Sequence, residues 1–362
     1  MDKKMYDYWL YGLESIGRKT FLKLQEKGLD GETLYHCKEN EIPDFLSGRQ
    51  KQSLLKGKTK TKDGLLKEYE SLKKDGISMS VFGENEYPKR LYEIPDAPAV
   101  LFYKGKLPKE TERAVAIIGA RNCSGYGKAV AEKFAAFFAE QNVNVISGMA
   151  LGVDGFAQKA ALKAGGFSIG VLGSGVEVCY PGENESLYRD LIQKGCVLSE
   201  FLPYIKASAN FFPQRNRIIS GLSDALIVIE AKEKSGTMIT VEMALEQGKE
   251  VFVVPGRITD DLSKGCNKLL WEGANIAVSP ENVFESLYGE WHRNIFENGQ
   301  EDNSLLQKQI LSFLDVTPLH INVLQEKMED IPFDVLMREL LYLMLEDKVI
   351  QAGSQLYQKK GI

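Results

Sequence analysis

The chain has 362 residues, 44% of them hydrophobic and 26% charged, with a formal net charge of −5. That length exceeds one ordinary core and implies two or three domains, and the composition excludes a disordered or fibrous chain. The five cysteines include no C-x-x-C pair, which points to a reducing cytoplasm. The opening MDKKMYDYWLYGLES lacks an apolar signal region, and the longest apolar runs are strand-length, too short to insert in a membrane.

Residues 1–76 read as short helices, with LESIGRKTFLKLQEKG patterned as helix, glycine turn, helix. Residues 77–290 alternate apolar β-branched runs (AVAIIG, VNVISG, FSIGVLGSG, CVLSEF, DALIVIEA, EVFVVPG) with helical stretches. Continuous apolar strands joined by helices predict a parallel sheet covered on both faces. Residues 291–304 are polar and read as a linker. Residues 305–362 read as a winged helix, ending in the two-stranded wing KVIQAGSQLYQK. Charge divides unevenly: residues 1–76 hold 16 Lys and Arg against 13 Asp and Glu, whereas 77–300 and 301–362 are each net −4. Binding to duplex phosphates needs clustered cations, so the acidic tail is expected to contact protein.

The stretch GARNCSGYG (119–127) joins a strand to a helix and raises the question of whose phosphate it holds. Its glycines, Gly119, Gly125 and Gly127, miss the dinucleotide spacing, and the next strand ends in Ser147–Gly148 where an acid would read a ribose. Five residues separate Gly119 from Gly125, and Ala129 follows Lys128, so a Walker A loop fails as well. What the loop offers is Arg121, Ser124 and Gly125 at a helix N-terminus, a set suited to an anionic oxygen. Similar small-residue turns recur at the predicted strand ends, notably Gly173–Ser174–Gly175 and Lys234–Ser235–Gly236–Thr237. On one edge of a parallel sheet they predict a long groove. Between them, Lys206, Phe211, Phe212, Arg215, Asn216 and Arg217 mix cations with aromatics, as single-stranded nucleic acid requires. Arg215 and Arg217 stand two apart, so one of them faces the groove squarely and the other is expected to meet an acid. Asp154 and Glu200 are further candidates for the groove. The histidines fall at 36, 292 and 320, which leaves the α/β region without a His-based nucleophile or metal site. Cys123 sits where a helix N-terminus would acidify a thiol, but with no base nearby in sequence it reads as a small filler.

Taken in order, GARNCSGYG, SGMALGVDG, VLGSGVEVCYP, FPQRNRIISGLSDALIVIEA, KSGTMIT, ALEQGKEVFVVPG and KGCNKLL resemble the DNA-processing protein A (DprA/Smf) family. The resemblance implies an α/β fold: an extended Rossmann-like parallel sheet with an N-terminal helical, SAM-like domain and a C-terminal winged helix. It also implies single-stranded DNA binding, loading of the RecA recombinase during natural transformation, and homodimers. The dimer and RecA surface would fall near Leu269, Leu270 and Trp271. DNA contacts would fall on Arg121, on Gly173 to Gly175, on Lys206 through Arg217 and on Lys234 to Thr237. No cofactor and no catalytic residue are implied. The chain departs from the family's usual pattern at Leu151, Gln158 and Glu177, where Arg, His and Asp are customary. A competing class, Rossmann-like proteins that bind or hydrolyse nucleoside monophosphates, needs acids just after the K-S-G-T turn. Here Met238, Ile239 and Thr240 follow it, and the first acid is Glu242.

Overall fold

The computed structural model describes residues 3–109, 112–289, 300–315, 317–328, 331–346 and 348–360. The chain divides into two compact units, 1–291 and 292–362.

The first unit opens with helices α1 (Lys4–Tyr11), α2 (Arg18–Glu26), α3 (Gly31–His36), α4 (Gly48–Gly57) and α5 (Lys62–Lys74). Local sequence sets their starts: Ser47 and Gln50 form a capping box on α4, and the Thr61 hydroxyl accepts from Gly64 N–H at α5. These helices do not form a separate core. Tyr6, Trp9, Leu10, Phe21 and Leu72 share one apolar cluster with Met79, Phe102, Leu187 and Val197 of the sheet layer.

The sheet comprises β1 (Ser78–Val81), β2 (Val100–Gly105), β3 (Ala114–Ile118), β4 (Asn144–Ser147), β5 (Ser168–Val171), β6 (Cys196–Ser199), β7 (Ala225–Val228), β8 (Glu250–Val253) and β9 (Asn275–Ile276). Its order is β1-β2-β6-β5-β4-β3-β7-β8-β9. Pairing is parallel from β6 to β9, whereas β2 runs antiparallel to both β1 and β6. Every residue of β3, AVAII, is buried, as a strand covered on both faces requires. The covering helices are α6 (Gly125–Glu140), α7 (Val153–Lys163), α8 (Glu185–Lys194), α9 (Phe211–Leu222), α10 (Gly236–Glu246), α11 (Asp261–Trp271) and α12 (Pro280–Tyr288). Residues of α6, α7 and α12 build one apolar layer, and residues of α9, α10 and α11 build another. From β3 the chain winds outward to β6, then crosses back through α9 to β7 on the other side of β3. That reversal leaves a crevice at the carboxyl ends of β3 and β7, where doubly wound sheets hold ligands.

The second unit holds α13 (Gln300–Phe313), β10 (Leu319–His320), α14 (Ile321–Glu326), α15 (Phe333–Leu345), β11 (Val349–Gly353) and β12 (Leu356–Lys359), with sheet order β10-β12-β11. Ile310, Leu324, Leu336, Leu340 and Val349 form its core. The segment read as a linker lies outside the described residues up to position 299; α13 begins at Gln300.

Candidate nucleic-acid interface

The crevice opens into a cleft of about 840 Å³, lined by the loops that follow β3, β4, β5, β6 and β7 and by the first residues of α11. Its aromatic wall is Phe212, at the start of α9. The Arg121 guanidinium carbon lies 5.5 Å from the Phe212 ring centroid, and the Tyr180 ring lies 5.5 Å away at 34°. Arg121 and Tyr180 are both exposed and Phe212 is half-buried, so ring and charge face solvent together. On the floor, Arg215 donates to the carbonyls of Gly148 and Val171, and its Nε donates to Asn216 Oδ1 at 3.2 Å. Burial pulls the Arg215 guanidinium down to about 10, with the Asp154 carboxylate opposing the shift. Burial likewise pushes Asp154 above the usual carboxylate range, against the favourable Arg215 charge and the Gly148 amide. On the far side Lys232, Ser235, Gly236 and Thr237 line the cleft. No side chain caps the first turn of α10: Ser235 Oγ donates backward to Lys232 O, and Thr237 Oγ1 donates to Gly119 O. The first-turn amides of α10 therefore meet the cleft with the positive end of the helix dipole.

Several residues singled out in the sequence sit elsewhere. Ser124 caps α6, but its amide and hydroxyl both donate to Glu230, at 2.8 and 2.5 Å. Glu230 is 2% exposed, so the anion in the GARNCSGYG turn is the protein's own carboxylate, where the sequence suggested an external phosphate at Ser124 and Gly125. Glycine at 127 leaves room for it, because a Cβ there would displace the Glu230 carboxylate. The same surroundings correct the reading of Cys123: burial, then the charge of Glu230, push its thiol up instead of acidifying it. Gly173, Ser174 and Gly175 are buried. The Ser174 hydroxyl donates to Val178 O, a Cβ on Gly173 would meet the Phe212 ring, and a Cβ on Gly175 would strike the carbonyls of Leu202 and Pro203. This turn supports the aromatic wall from beneath and is not a groove-facing phosphate site.

Arg217 is also redirected. It makes a two-pronged pair with Glu200, 2.6 and 2.7 Å, and its Nε donates to Asp96 O, so it braces α9 with both charges buried. Phe211 turns away from Phe212 and packs on Phe201, with centroids 4.3 Å apart. Lys206 and Lys234 are exposed on the loops after β6 and β7. Leu269 is buried in the core and Leu270 is half-buried against it, which leaves Trp271, 86% exposed, as the apolar side chain of that trio on the surface. Gln158, at the customary histidine position, is buried and binds Met149 N–H and Ile169 O. Glu177 accepts from Lys104 Nζ at 2.5 Å.

Sequence reasoning missed Tyr180 and Glu230. Each had a signal: Tyr180 is the aromatic in VEVCYPG after a strand end, and Glu230 is an acid closing the run ALIVIE.

The fold and the cleft thus define an extended Rossmann-like protein in which cations and aromatics occupy the ligand edge of the sheet. The model of the family of DNA recombination-mediator protein A matches residues 78–288, and the chain belongs to this DprA/Smf family. It is 41% identical over 216 residues to the DNA processing protein DprA of Bacillus subtilis, covering 59% of this chain and 73% of that protein. The X-ray structure of DprA from Streptococcus pneumoniae superposes with a TM-score of 0.69 at 35% identity, covering 81% of this chain and 99% of that one. DNA processing protein A from Helicobacter pylori, solved for its single-stranded DNA binding mode, gives a TM-score of 0.54 at 31% identity, over 60% of this chain and 97% of that one.

Proposed function

We propose that the cleft binds single-stranded DNA without breaking bonds, protects the strand and loads the RecA recombinase onto it during transformation and recombination. The observation that carries this reading is the solvent-facing cluster of Arg121, the half-buried Phe212 and Tyr180 at the switch point. Bases stack on the rings while phosphates take the cations, a recipe that tolerates any sequence. The relatives are DNA processing proteins, and one of them is known for single-stranded DNA binding. Contacts fall to Arg121, Phe212, Asn216, Lys206 and the Lys234–Thr237 turn. Arg215 holds the floor, and Gly173 to Gly175 hold the wall. Paired bases cannot splay onto Phe212, so duplex binds worse. The nucleotide-hydrolase reading is disfavoured because no acid follows the KSGT turn until Glu242. In keeping with the family, the 1–76 helices are a SAM-like module packed onto the sheet, and the 305–362 tail is a winged helix, whose acidity suits a protein contact. Trp271 belongs to the surface for a second copy or for RecA, and the protein works in the cytoplasm.

Fluorescence anisotropy with labelled oligo-dT and a matching duplex tests the cleft. Arg121→Ala is expected to weaken single-strand binding about tenfold and to lower the slope of log K against log salt by about 0.7. Duplex binding equal to single-strand binding, and indifferent to Arg121, would refute the reading. Stimulation of RecA filament assembly on the bound strand tests the loading step.

A further inference from the structure

Lys19 and Lys23 of α2 and Lys27, the residue that caps its C-terminus, stand at i, i+4 and i+8, all exposed, away from the buried Phe21 and Leu24. Like charges at this spacing repel by about 0.2–0.5 kcal/mol per pair unless something offsets them. Among the described residues, no acid lies within ion-pair distance of any of the three, although Glu26 is on the same helix. Two of them flank a ring: Lys23 Nζ lies 4.7 Å and Lys27 Nζ 5.5 Å from the centroid of Phe45, which is 36% exposed. This repeats the pairing of cation and solvent-facing ring found at Arg121 and the half-buried Phe212.

The two places are joined along the chain and across the surface. Phe212 and Pro213 line the cleft, and the next residue, Gln214, lines a separate groove of about 370 Å³ with Phe201, Arg18, Lys19, Thr20 and Glu200, whose carboxylate is paired with Arg18 and Arg217. Phe201 in turn packs on Phe211. The groove therefore starts where the aromatic wall ends and finishes at the first turn of α2. Arg18 is already committed to Asp96 and Glu200, which leaves the lysines as the cations that remain along this path.

We propose that a single strand leaving the cleft continues over Phe211, Phe201 and Gln214 onto α2, where Lys19, Lys23 and Lys27 take phosphates and a base stacks on Phe45. The proposal rests on the cleft reading above and lengthens it: the N-terminal helices are a second segment of the strand's track. A ring bracketed by two ammonium groups suits an unpaired base with its phosphates. Three contacts of this kind explain why the helix keeps an unpaired row of like charges.

The test uses the full chain, the double variant Lys23→Ala/Lys27→Ala and the single variant Phe45→Ala, with oligo-dT of about 6 and about 20 nucleotides. On the long oligomer the double variant is expected to lower the slope of log K against log salt by about 1.4, and Phe45→Ala to weaken binding at least about fivefold. On the short oligomer, confined to the cleft, all three proteins are expected to bind alike. Equal long-oligomer binding by all three proteins would overturn the proposal and leave the cleft reading standing. Loss at both lengths would also overturn it, because a separate surface cannot act on a strand held in the cleft. A wild type that binds only the long oligomer, through Lys23, Lys27 and Phe45 alone, would overturn the cleft reading and with it the continuous track proposed here.

Discussion

Replacing Glu230 by alanine removes the buried carboxylate that accepts from the Ser124 amide at 2.8 Å and from its hydroxyl at 2.5 Å. Hydrogen bonds to a charged acceptor contribute about 1.5–3 kcal/mol each, and two donors to one group do not add fully, so a loss of about 3 kcal/mol is expected. At about 2.1 cal/mol/K of unfolding entropy per residue, each kcal/mol moves the midpoint of a unit spanning 1–291 by about 1.6 °C, which puts the fall at about 5 °C. Glu230→Gln keeps the shape: its carbonyl can accept from the amide while its NH₂ donates to Ser124 Oγ. A cost of about 1 kcal/mol is expected there. Thermal unfolding of the first unit followed by circular dichroism reads both variants. An alanine variant within about 1 kcal/mol of wild type would refute the conclusion that this carboxylate organises the glycine turn.

Glu200→Ala leaves Arg217 buried without its partner and is expected to cost about 3–5 kcal/mol, read as a lower denaturation midpoint. A loss under about 1 kcal/mol would mean that water or another acid reaches Arg217. Burial raises the pKa of Asp7 to about 6, its bond from Gly31 N–H opposing the shift. A raised folded-state pKa means that this group's contribution is complete below about pH 4 and is lost as pH climbs through about 6. Asp7→Asn keeps the acceptor for Gly31 and is expected to stabilise by about 1–3 kcal/mol at pH 8, a gain that shrinks toward pH 4.5. A pH-independent difference would contradict that assignment.

The α/β order was legible because AVAII, ALIV and their kin are buried on both faces, and such strands carry no alternating pattern to confuse with others. The cleft's position was legible too, since the small-residue turns do end the strands. Individual side chains were harder. Arg215 and Arg217 look alike in sequence, and only the packing of α9 beside the segment that follows β6 brings Glu200 to one of them. Ser124 read as an anion ligand correctly in chemistry but wrongly in partner, because Glu230 lies 106 residues away and arrives through the β3–β7 pairing. Gly173 to Gly175 looked like a phosphate turn, yet the loop over 202–205 packs on it and requires the missing side chains. The periodicity of the N-terminal helices showed where they bury Phe21 and Leu24. It gave no sign that they share one core with the sheet.

The most direct test of the central claim compares Phe212→Ala with wild type on oligo-dT and on duplex, at one salt concentration. Loss of one stacked base corresponds to about 1–3 kcal/mol, so single-strand affinity is expected to fall about 5- to 150-fold while the weaker duplex binding stays unchanged. Unchanged single-strand affinity in a folded Phe212→Ala protein would contradict the cleft as the place where the strand stacks.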